Sequence, residues 1–501
     1  MGSRHVPART VLFEREKNGV TYRVPALLYI PHWSTLLAFA EERLSADDAH
    51  ANLLVLRRGI LYHSYVEWED MFAVGSAHLP GHRSMNPCPI YDEFTGQIFL
   101  FFIAVQGRTT ESYQILTGHN LARLCYVTSS DQGRTWGDVT DLTQKVIGES
   151  LKGEWATFAL GPGHGIQLKS GRLLLPAYTY HIDCRNCFGK LCRTTPRAFA
   201  FRSDDHGKTW TFGDLVPNLQ TVECQLVSVD EEDGSNVLYC NARSTLGFRV
   251  QALSSDNGIV FQQGQLVEKL VETPSGCHGS VIGFPAPLTY ASRLNTKNML
   301  GQPMNAMSRT KLSNTEPKRV PQLLQKDRSC VEHYQLNRYS NIFKVMLHKQ
   351  TKGKTADINS SYNKGQFSSE VQKSIFRTDY QFQLPTWVLY SHPTSPQRRV
   401  NLGVYLSPYP KDSDRWTSPW IIYEGPSAYS DLAYIELQSG ELRAPLIVFG
   451  CLYENGITSP YEQISFSMFT LYEVIQNLPP NPTLLHPSMK QDGVRGNCST
   501  S

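Results

Sequence analysis

Three arginines stand in or beside short apolar runs, where a permanent positive charge is unexpected. They are Arg23, Arg243 and Arg399 of the 501-residue sequence. Burying a guanidinium is costly unless a partner compensates its charge, so each arginine could serve in an internal salt bridge. If the three guanidiniums met in space, they would instead bind one carboxylate through charge-assisted, forked hydrogen bonds. Taken one at a time, the three positions leave both interpretations open.

Two acids and a tyrosine could supply proton transfer or a nucleophile. Glu223 lies in the strand-like segment 221–225, and Tyr429 lies in the segment 428–432. Asp48 falls in a polar loop between two predicted strands, where a solvated turn acid is the simpler interpretation. None of the three is diagnostic by its local pattern.

A cysteine cluster gives a weaker indication of a metal site. Cys184, Cys187 and Cys192 are close in sequence, and His181 could complete the four ligands of a structural zinc. The cluster lacks a second CxxC pair, so free thiols are the favoured interpretation. The eleven cysteines are odd in number, unevenly spaced and not preceded by a secretory signal, which predicts reduced thiols and a cytosol-facing protein.

Three copies of the pattern S-x-D-x-G-x-[TV]-[WF] indicate which elements position these side chains. The copies span 129–136, 203–210 and 254–261. In such a unit the Ser and Asp side chains accept hydrogen bonds from nearby backbone N–H groups, the Gly supplies a positive φ, and the aromatic ring packs under a sheet. Each copy therefore predicts a hairpin turn, and the spacing fits one four-stranded propeller blade per copy.

Short strand-like segments bounded by Gly, Pro, Asp or Asn recur along most of the chain. Aromatic residues make up 11% of the sequence and prolines number 29, a composition that favours strands and turns over helices. The sequence therefore predicts an all-β propeller. Because the inner strands of propeller blades converge at one end of a central channel, an anionic ligand held by the three arginines becomes the leading hypothesis.

One region breaks this pattern. Residues 288–384 are rich in Ser, Asn, Lys, Gln and Thr, a composition that cannot bury enough apolar surface to offset its ordering entropy. We expect a single propeller formed by 10–287 and 385–476, a largely disordered, low-complexity insertion at 288–384, and a disordered tail at 477–501.

The charge and hydropathy of the chain argue against two classes of interaction. The formal net charge is +3 and no run of five or six basic residues occurs, so nucleic acid is an unlikely partner. The longest uninterrupted apolar run covers 98–105. Such a run is too short for a membrane-spanning helix, which needs about 20 residues.

Several segments resemble the animal exo-α-sialidases, also called neuraminidases, which implies a six-bladed propeller. The similarity covers nearly all of the chain outside the insertion and the termini. Within the family the chain is most similar to the plasma-membrane-associated members that act on gangliosides, through 161–168 and 176–180. The segments that carry the family resemblance are YRVPALLY (22–29), AFAE (38–41), VLRRG (55–59), GHRSMNPCP (81–89), FALGPGH (158–164), TVEC (221–224), GSVI (279–282) and AYSDL (428–432).

The resemblance implies hydrolysis of terminal sialic acids on gangliosides, oligosaccharides and glycoproteins, with retention of anomeric configuration and no metal or organic cofactor. By position, Asp48 matches the acid/base, Tyr429 the nucleophile and Glu223 the group that activates it. A neutral phenol avoids the like-charge repulsion that a carboxylate nucleophile would meet at an anomeric carbon bearing a carboxylate. The positions implied to bind substrate are Arg23, Arg243, Arg399, Glu41, Arg43, Asn86, Glu111, Tyr178 and Tyr180.

Two positions depart from the family pattern. His278 stands where relatives usually carry Gln, which bears on contacts to the glycerol side chain or the aglycone. Ala49 follows Asp48 at a position where an acidic residue is common. The positions matched to the catalytic roles are all present, so the resemblance still implies an active enzyme.

The sequence is also compatible with other functions and locations. A propeller could hold sialylated glycans as a lectin or scaffold without cleaving them, a role that needs neither Asp48 nor Tyr429. It could also be a protein-interaction hub, with the insertion as its docking segment. The resemblance implies peripheral membrane association, at the plasma membrane or at endosomal or lysosomal membranes, through S-acylation or the basic insertion. A cytoplasmic protein is the alternative.

Overall fold

The computed structural model describes residues 5–63, 65–188, 191–287, 384–437 and 445–479. The predicted insertion and the predicted tail therefore lie almost wholly outside the described residues. The helices of the described chain are α1 (Glu111–Thr117), α2 (Thr143–Leu151) and α3 (Leu471–Asn477), and single 3-10 turns cover Pro31–Trp33, Asp48–His50 and Ser413–Arg415. None of these helices is long and apolar enough to cross a membrane.

Strands make up most of the described chain, and every pair of hydrogen-bonded neighbours is antiparallel. The first ten are β1 (Arg9–Glu14), β2 (Thr21–Ile30), β3 (Thr35–Arg43), β4 (Ala51–Tyr62), β5 (Tyr65–Trp68), β6 (Phe72–Ala73), β7 (His82–Asp92), β8 (Gln97–Gln106), β9 (Ala122–Ser129) and β10 (Thr140–Asp141). The next ten are β11 (Trp155–Leu160), β12 (Ile166–Gln167), β13 (Leu173–Phe188), β14 (Leu191–Ser203), β15 (Thr211–Phe212), β16 (Cys224–Asp230), β17 (Asn236–Ala242), β18 (Phe248–Ser254), β19 (Gln265–Val271) and β20 (Ser280–Pro285). The last five are β21 (Thr386–Pro393), β22 (Val400–Ser407), β23 (Trp420–Leu437), β24 (Leu446–Asn455) and β25 (Gln463–Thr470).

The strands form five sheets arranged like the blades of a propeller. Sheet 1 contains β2 to β6, sheet 2 contains β7 to β10, sheet 3 contains β11 to β15, and sheet 4 contains β16 to β19. Sheet 5 has seven strands in the order β20-β21-β22-β23-β24-β25-β1. The predicted all-β, propeller-like fold is confirmed at this level.

The predicted number of six separate blades is not reproduced. Sheets 1 to 4 each have the size of one blade, whereas sheet 5 is nearly twice as large. The physical reason is the length of β23. Its first part pairs with β22 and its second part pairs with β24, so one continuous strand joins two sets of strands into a single sheet.

Apolar side chains fill the spaces between successive sheets. Leu36 of sheet 1 and Phe466 of sheet 5 belong to one buried cluster, and Leu174 of sheet 3 and Leu226 of sheet 4 belong to another. Strand β1 closes the ring, because it pairs with β25 and brings the start of the chain to its last strand. The core therefore encircles the axis and leaves the inner strand ends free to carry a site.

The repeated pattern forms hairpin turns, as predicted. In the first copy Ser129 Oγ accepts the Gly133 N–H (3.0 Å), and Asp131 Oδ1 accepts the Thr135 N–H (2.9 Å). The ring of Trp136 lies edge to face against Phe39 of sheet 1. These bonds link residues at most four positions apart, which is why the pattern is readable in sequence. The other copies repeat the bonds at Ser203, Asp205, Gly207 and Thr209 and at Ser254, Asp256, Gly258 and Val260.

A buried acid links the sheets at the axis. Asp431 of β23 is fully buried and accepts hydrogen bonds from the Leu27 N–H of sheet 1 (2.7 Å) and from Ser280 Oγ of β20 (2.7 Å). His164 Nδ1 lies 2.8 Å from the same carboxylate. Ser280 also contacts Gln225 of sheet 4 at 3.3 Å. Asp431 is two residues from Tyr429 on one strand, so this cluster anchors the strand that carries the tyrosine.

The prediction of reduced thiols is wrong for one pair of cysteines. Cys184 and Cys187 form a disulfide near the end of β13, where the pairing with β14 is irregular and the short spacing brings the two side chains together. Cys192 is buried with a free thiol. Within the described residues no group of His, Cys, Asp or Glu is arranged to hold a metal ion, so the alternative zinc site at His181 is not assembled.

Candidate active site

Tyr429, Glu223 and Arg243 form the centre of the site. Glu223 immediately precedes β16 and Arg243 immediately follows β17, and the antiparallel register of these strands sets the two residues opposite each other. The Tyr429 hydroxyl donates to Glu223 Oε1 at 2.5 Å. Arg243 Nη1 donates to the Tyr429 hydroxyl (3.0 Å) and to Glu223 Oε2 (2.6 Å). A phenol, a carboxylate and a guanidinium are thus in mutual contact.

The Tyr429 side chain is buried, and its phenol is held neutral. Burial raises its pKa well above the ordinary value, and the negative charge of Glu223 adds to this effect. Arg243 and Arg399 act in the opposite direction without reversing it. The proton therefore stays on the phenol until a base removes it, and Glu223 is the acceptor already in hydrogen-bond contact.

Arg23 is held by a carboxylate that the sequence analysis missed. Its Nε and Nη2 donate to the two oxygens of Glu454 at 2.9 and 3.4 Å. Glu454 is fully buried and also accepts the backbone N–H groups of Val24 and Tyr429. This one acid therefore fixes the first arginine relative to the tyrosine. A carboxylate inside the apolar strand β24 was the available signal, of the same kind that identified Arg23.

Arg399 also lies beside Tyr429, and it shares contacts to Tyr461 with Arg23. Arg399 Nη1 donates to the Tyr461 hydroxyl (3.2 Å), and Nη2 donates to the Gly276 carbonyl (2.9 Å). The Arg399 and Arg23 guanidinium carbons lie 5.4 and 5.5 Å from the centre of the Tyr429 ring. Tyr461 lies in a polar loop, and no local sequence signal could have identified it.

The three predicted arginines therefore meet around one side chain. Both interpretations of the sequence apply in part, since Arg23 and Arg243 form internal salt bridges with Glu454 and Glu223. The Arg399 guanidinium instead donates to two neutral oxygens, those of the Tyr461 hydroxyl and the Gly276 carbonyl. Asp48 also lies near Arg23, so among the described residues Arg399 is the one of the three guanidiniums without a carboxylate contact, and its charge favours an anionic ligand.

Asp48 lies next to the arginines in a single 3-10 turn. Its carboxylate is hydrogen-bonded by Arg43, and Arg23 Nη1 lies 3.8 Å from Asp48 Oδ1. Although partial burial opposes ionisation, the positive charges of Arg43 and Arg23 lower the pKa of Asp48. The Asp48 side chain remains 72% exposed, so an incoming ligand can reach it.

Glu41 supports this acid loop from below. It is fully buried and accepts hydrogen bonds from Arg43 Nε (2.8 Å) and from the Asn86 N–H (2.6 Å). Asn86 has a φ of +54°, and the pairing of β7 with β8 shifts register beside it. The irregularity points the Asn86 N–H at Glu41, which joins sheet 2 to the Arg43–Asp48 pair.

Glu111, Tyr178 and Tyr180 form the remaining part of the predicted site. Helix α1 begins at Glu111, and the Tyr178 hydroxyl donates to Glu111 Oε1 at 3.2 Å. The rings of Tyr178 and Tyr180 lie edge to face, 6.2 Å apart. The protein atoms that surround the Glu111 carboxyl, and then the charge of Glu223, raise its pKa to about 7. The pKa of Glu111 therefore depends in part on the charge of Glu223 at the centre of the site.

His278 and Ala49, the two residues that depart from the family pattern, lie in different environments. His278 is fully buried, its ring lies 5.4 Å from that of Tyr429, and burial lowers its pKa to about 3, so it is neutral. Among the described residues neither ring nitrogen of His278 has a hydrogen-bond partner. The Ala49 N–H donates to Asp47 in the turn that carries Asp48.

Comparisons with known proteins agree with this fold. Residues 34–287 match the family described as BNR repeat-like domain. The chain is 49% identical to Sialidase-4 of Mus musculus over 99% of both chains, and 40% identical to Sialidase-3 of Homo sapiens over 93% of both. Among solved structures, the Hadza microbial sialidase Hz136 matches with a TM-score of 0.60 at 19% identity, over 93% of this chain and 69% of that one.

The propeller-like arrangement of sheets is shared with the glycoside hydrolases of the sialidase fold, a class of glycan-processing enzymes. With relatives of such identity over nearly its full length, the chain belongs to the animal sialidase family and is an exo-sialidase. The family prediction from the sequence is confirmed. Its closer similarity to the ganglioside-acting members stays a prediction, as do the roles of the individual site residues.

Proposed function

We propose that this sialidase works by a retaining mechanism in which Tyr429 is the nucleophile. The observation that carries the proposal is the contact of the Tyr429 hydroxyl with Glu223 and Arg243. In the first step the phenol oxygen bonds to the anomeric carbon while its proton passes to Glu223. The glycosidic bond breaks, and Asp48 donates a proton to the departing oxygen.

In the second step a water molecule releases the sugar. Asp48 takes a proton from the water as its oxygen bonds to the anomeric carbon, and the bond to Tyr429 breaks. The phenol oxygen regains the proton held by Glu223. Support by analogy comes from the Trypanosoma rangeli sialidase, which was solved as a covalent intermediate in complex with 2,3-difluorosialic acid; its TM-score is 0.54 at 13% identity, over 95% of this chain and 60% of that one.

The substrate itself would prepare Asp48 to act as an acid. In the free protein Arg43 and Arg23 lower the pKa of Asp48, which keeps it ionised. A sialic acid carboxylate bound beside Arg23 would offset that positive charge and raise the Asp48 pKa, so the proton would be gained on binding. Arg23, Arg243 and Arg399 thus orient the substrate, and one of them also couples binding to protonation.

For the substrates, we propose sialylated gangliosides, oligosaccharides and glycoproteins, with Asn86, Glu111, Tyr178 and Tyr180 around the sugar. This proposal is supported by the resemblance to ganglioside-acting relatives. Comparing hydrolysis of a ganglioside with that of sialyllactose tests the substrate class.

The same resemblance supports a second proposal, that the protein associates peripherally with membranes. Fractionation of cells, with and without a high-salt wash, tests the location, and recovery of all the protein in the soluble fraction would contradict it.

We also propose that the fold corresponds to a six-bladed propeller in which two blades share the single large sheet 5. The two halves of sheet 5 pack on each other, because Phe284 of β20 and Phe449 of β24 lie 4.9 Å apart and share one buried cluster. Neighbouring strands of one flat sheet would not pack face to face in this way. Counting the halves separately, with β23 shared, gives the sixth blade.

The mechanism is tested by turnover of a fluorogenic sialoside. We expect Asp48→Ala to lower kcat by roughly 10²- to 10⁴-fold, the usual contribution of a general acid–base group, and Tyr429→Phe, which removes the nucleophile, to lower kcat by at least as much. Tyr472→Phe, which alters an exposed tyrosine of α3, is the matched control and should keep wild-type turnover. Full activity in both site variants would refute the assigned roles. Binding of a sialylated glycan without hydrolysis by the wild type would favour the lectin alternative.

A further inference from the structure

A buried acid lies behind two of the three arginines. Glu272 follows β19, and its side chain is fully enclosed. Its Oε1 accepts from Arg249 Nη1 at 2.8 Å, and its Oε2 accepts from the Cys277 N–H at 2.9 Å. Arg249, which is equally buried, also donates to the Cys277 carbonyl at 2.9 Å. The ion pair therefore binds both the backbone N–H and the backbone carbonyl of Cys277.

The segment held in this way is the loop 273–277, and its carbonyls contact the arginines. The Ser275 carbonyl accepts from Arg243 Nη2 (2.7 Å) and Nε (3.2 Å), and the Gly276 carbonyl accepts from Arg399 Nη2 (2.9 Å). Since Arg243 uses Nη1 for Glu223 and Tyr429, the loop fixes the plane of its guanidinium. The carbonyl groups of the loop therefore orient the guanidinium groups of Arg243 and Arg399.

The backbone of this loop has little freedom. Gly276 has a φ of +69°, and a Cβ there would lie 2.7 Å from Arg243 Cγ. His392 approaches from β21, with Nε2 at 3.0 Å from Glu272 Oε2 but without hydrogen-bond geometry. The pKa of Glu272 is about 2, because Arg249 and His392 outweigh the effect of burial. The acid is therefore charged at physiological pH.

We propose that Glu272 is a positioning residue for substrate binding, which holds Arg243 and Arg399 in the orientation that accepts the sialic acid carboxylate. The proposal rests on the proposed role of these arginines. Glu272 and Arg249 neutralise each other, so the pair fixes the loop without adding charge beside the ligand. Neither residue contacts the reacting atoms, and neither was identified by the sequence analysis, because the contacts join positions far apart in the chain.

The test is a steady-state comparison of Glu272→Gln with wild type on a soluble sialoside. Loss of one charged hydrogen-bond network typically costs about tenfold in affinity, so we expect KM to rise about tenfold. We expect kcat to change much less, because the direct hydrogen bond from Tyr429 to Glu223 does not involve the loop. Glu69→Gln is the matched control, since it removes the partner of the buried Arg58 outside the site; its KM should equal that of the wild type.

Two further variants keep the outcomes distinguishable. If Arg399→Ala leaves KM unchanged, the proposed grip on the carboxylate is wrong. If Arg399→Ala raises KM but folded Glu272→Gln does not, the positioning role alone is overturned. Should Glu272→Gln not fold, Glu272→Asp keeps the negative charge opposite Arg249 but withdraws the carboxylate from the Cys277 N–H. A higher KM in Glu272→Asp supports the proposal, and a wild-type KM contradicts it.

Discussion

Neighbouring acids in the site respond differently to one shared cation. Arg43 contacts both Glu41 and Asp48, yet burial raises the pKa of Glu41 whereas the arginines lower the pKa of Asp48. Glu41 is fully enclosed, but the Asp48 side chain keeps most of its exposed surface and loses less hydration. The balance between lost hydration and nearby charge therefore decides the charge state of each acid.

Glu111 gives a prediction of pH-dependent stability. Its pKa is raised from an ordinary 4.5 to about 7, so between these values the folded state binds more protons than the unfolded state. Stability from this group is therefore fully present below about pH 4.5 and is lost as pH rises through 7. Glu111→Gln does not titrate, so we expect it to be more stable than wild type at about pH 8, by of order 1 kcal/mol after solvent screening, and equally stable at about pH 4.

Thermal unfolding of both proteins across this pH range is the measurement. Glu149→Gln serves as the control, because the Glu149 side chain is 89% exposed on α2. Its Tm should follow that of the wild type at every pH. Parallel curves for Glu111→Gln and wild type would contradict the raised pKa.

At the scale of elements, the repeated turns depend on two successive residues with positive φ. His206 and Gly207 have φ values of +59° and +83°, and Asn257 and Gly258 repeat this pair. The Asp side chain of each turn organises the backbone N–H groups that follow it. For Asp131, hydrogen bonds from Thr135 and its neighbours outweigh partial burial and lower the pKa to about 2. The turn therefore stays charged and intact near neutral pH.

Gly207→Ala tests how the second turn packs on the neighbouring sheet. A Cβ at Gly207 would lie 2.3 Å from Phe99 Cζ, so the substitution combines backbone strain with overpacking. We expect the free energy of unfolding to fall by about 2 to 4 kcal/mol, measured by urea denaturation. Gly96→Ala is a matched control, because Gly96 has a similar φ of +76° and open space around it. Equal losses in the two variants would show that the contact with Phe99 has no effect.

At the scale of the whole molecule, the ring is stabilised at its closure and at its axis. Strand β1 pairs with β25, so the closing sheet is built from both ends of the described chain. Near the axis, Asp431 collects bonds from sheets 1 and 5 and the loop of His164. Displacing sheet 1 would therefore disturb sheet 5, because Asp431 bonds across the two sheets.

Adjacent residues of β1 provide a test of the closure. Leu12 is buried between sheets 5 and 1, whereas Val11 is 40% exposed on the same strand. Leu12→Ala should lower the free energy of unfolding by about 2 to 5 kcal/mol, the usual range for a buried leucine. Val11→Ala should change it by less than about 0.5 kcal/mol. Denaturant unfolding checks both values, and a small effect of Leu12→Ala would mean that β1 contributes little to ring stability.

Features set by short-range contacts could be predicted from the sequence. The hairpin turns at 129–136, 203–210 and 254–261 were predictable because their bonds join residues within the same short repeat. Arg23 and Tyr429 could be identified by their resemblance to the family motifs. The disulfide between Cys184 and Cys187 was missed, although the two residues are close in sequence, because spacing alone does not reveal whether two thiols are oxidised.

By itself, the sequence determined an all-β fold, its turns and the sialidase family, and it predicted the residue types of a carboxylate-binding site. Only the tertiary structure decided that β23 joins two sets of strands, that Glu454 holds Arg23, and that the loop after Glu272 aims two arginines. The physical reason is distance along the chain. Arg23 and Glu454 are separated by 431 positions, so their attraction acts only after the ring has closed and brought them together.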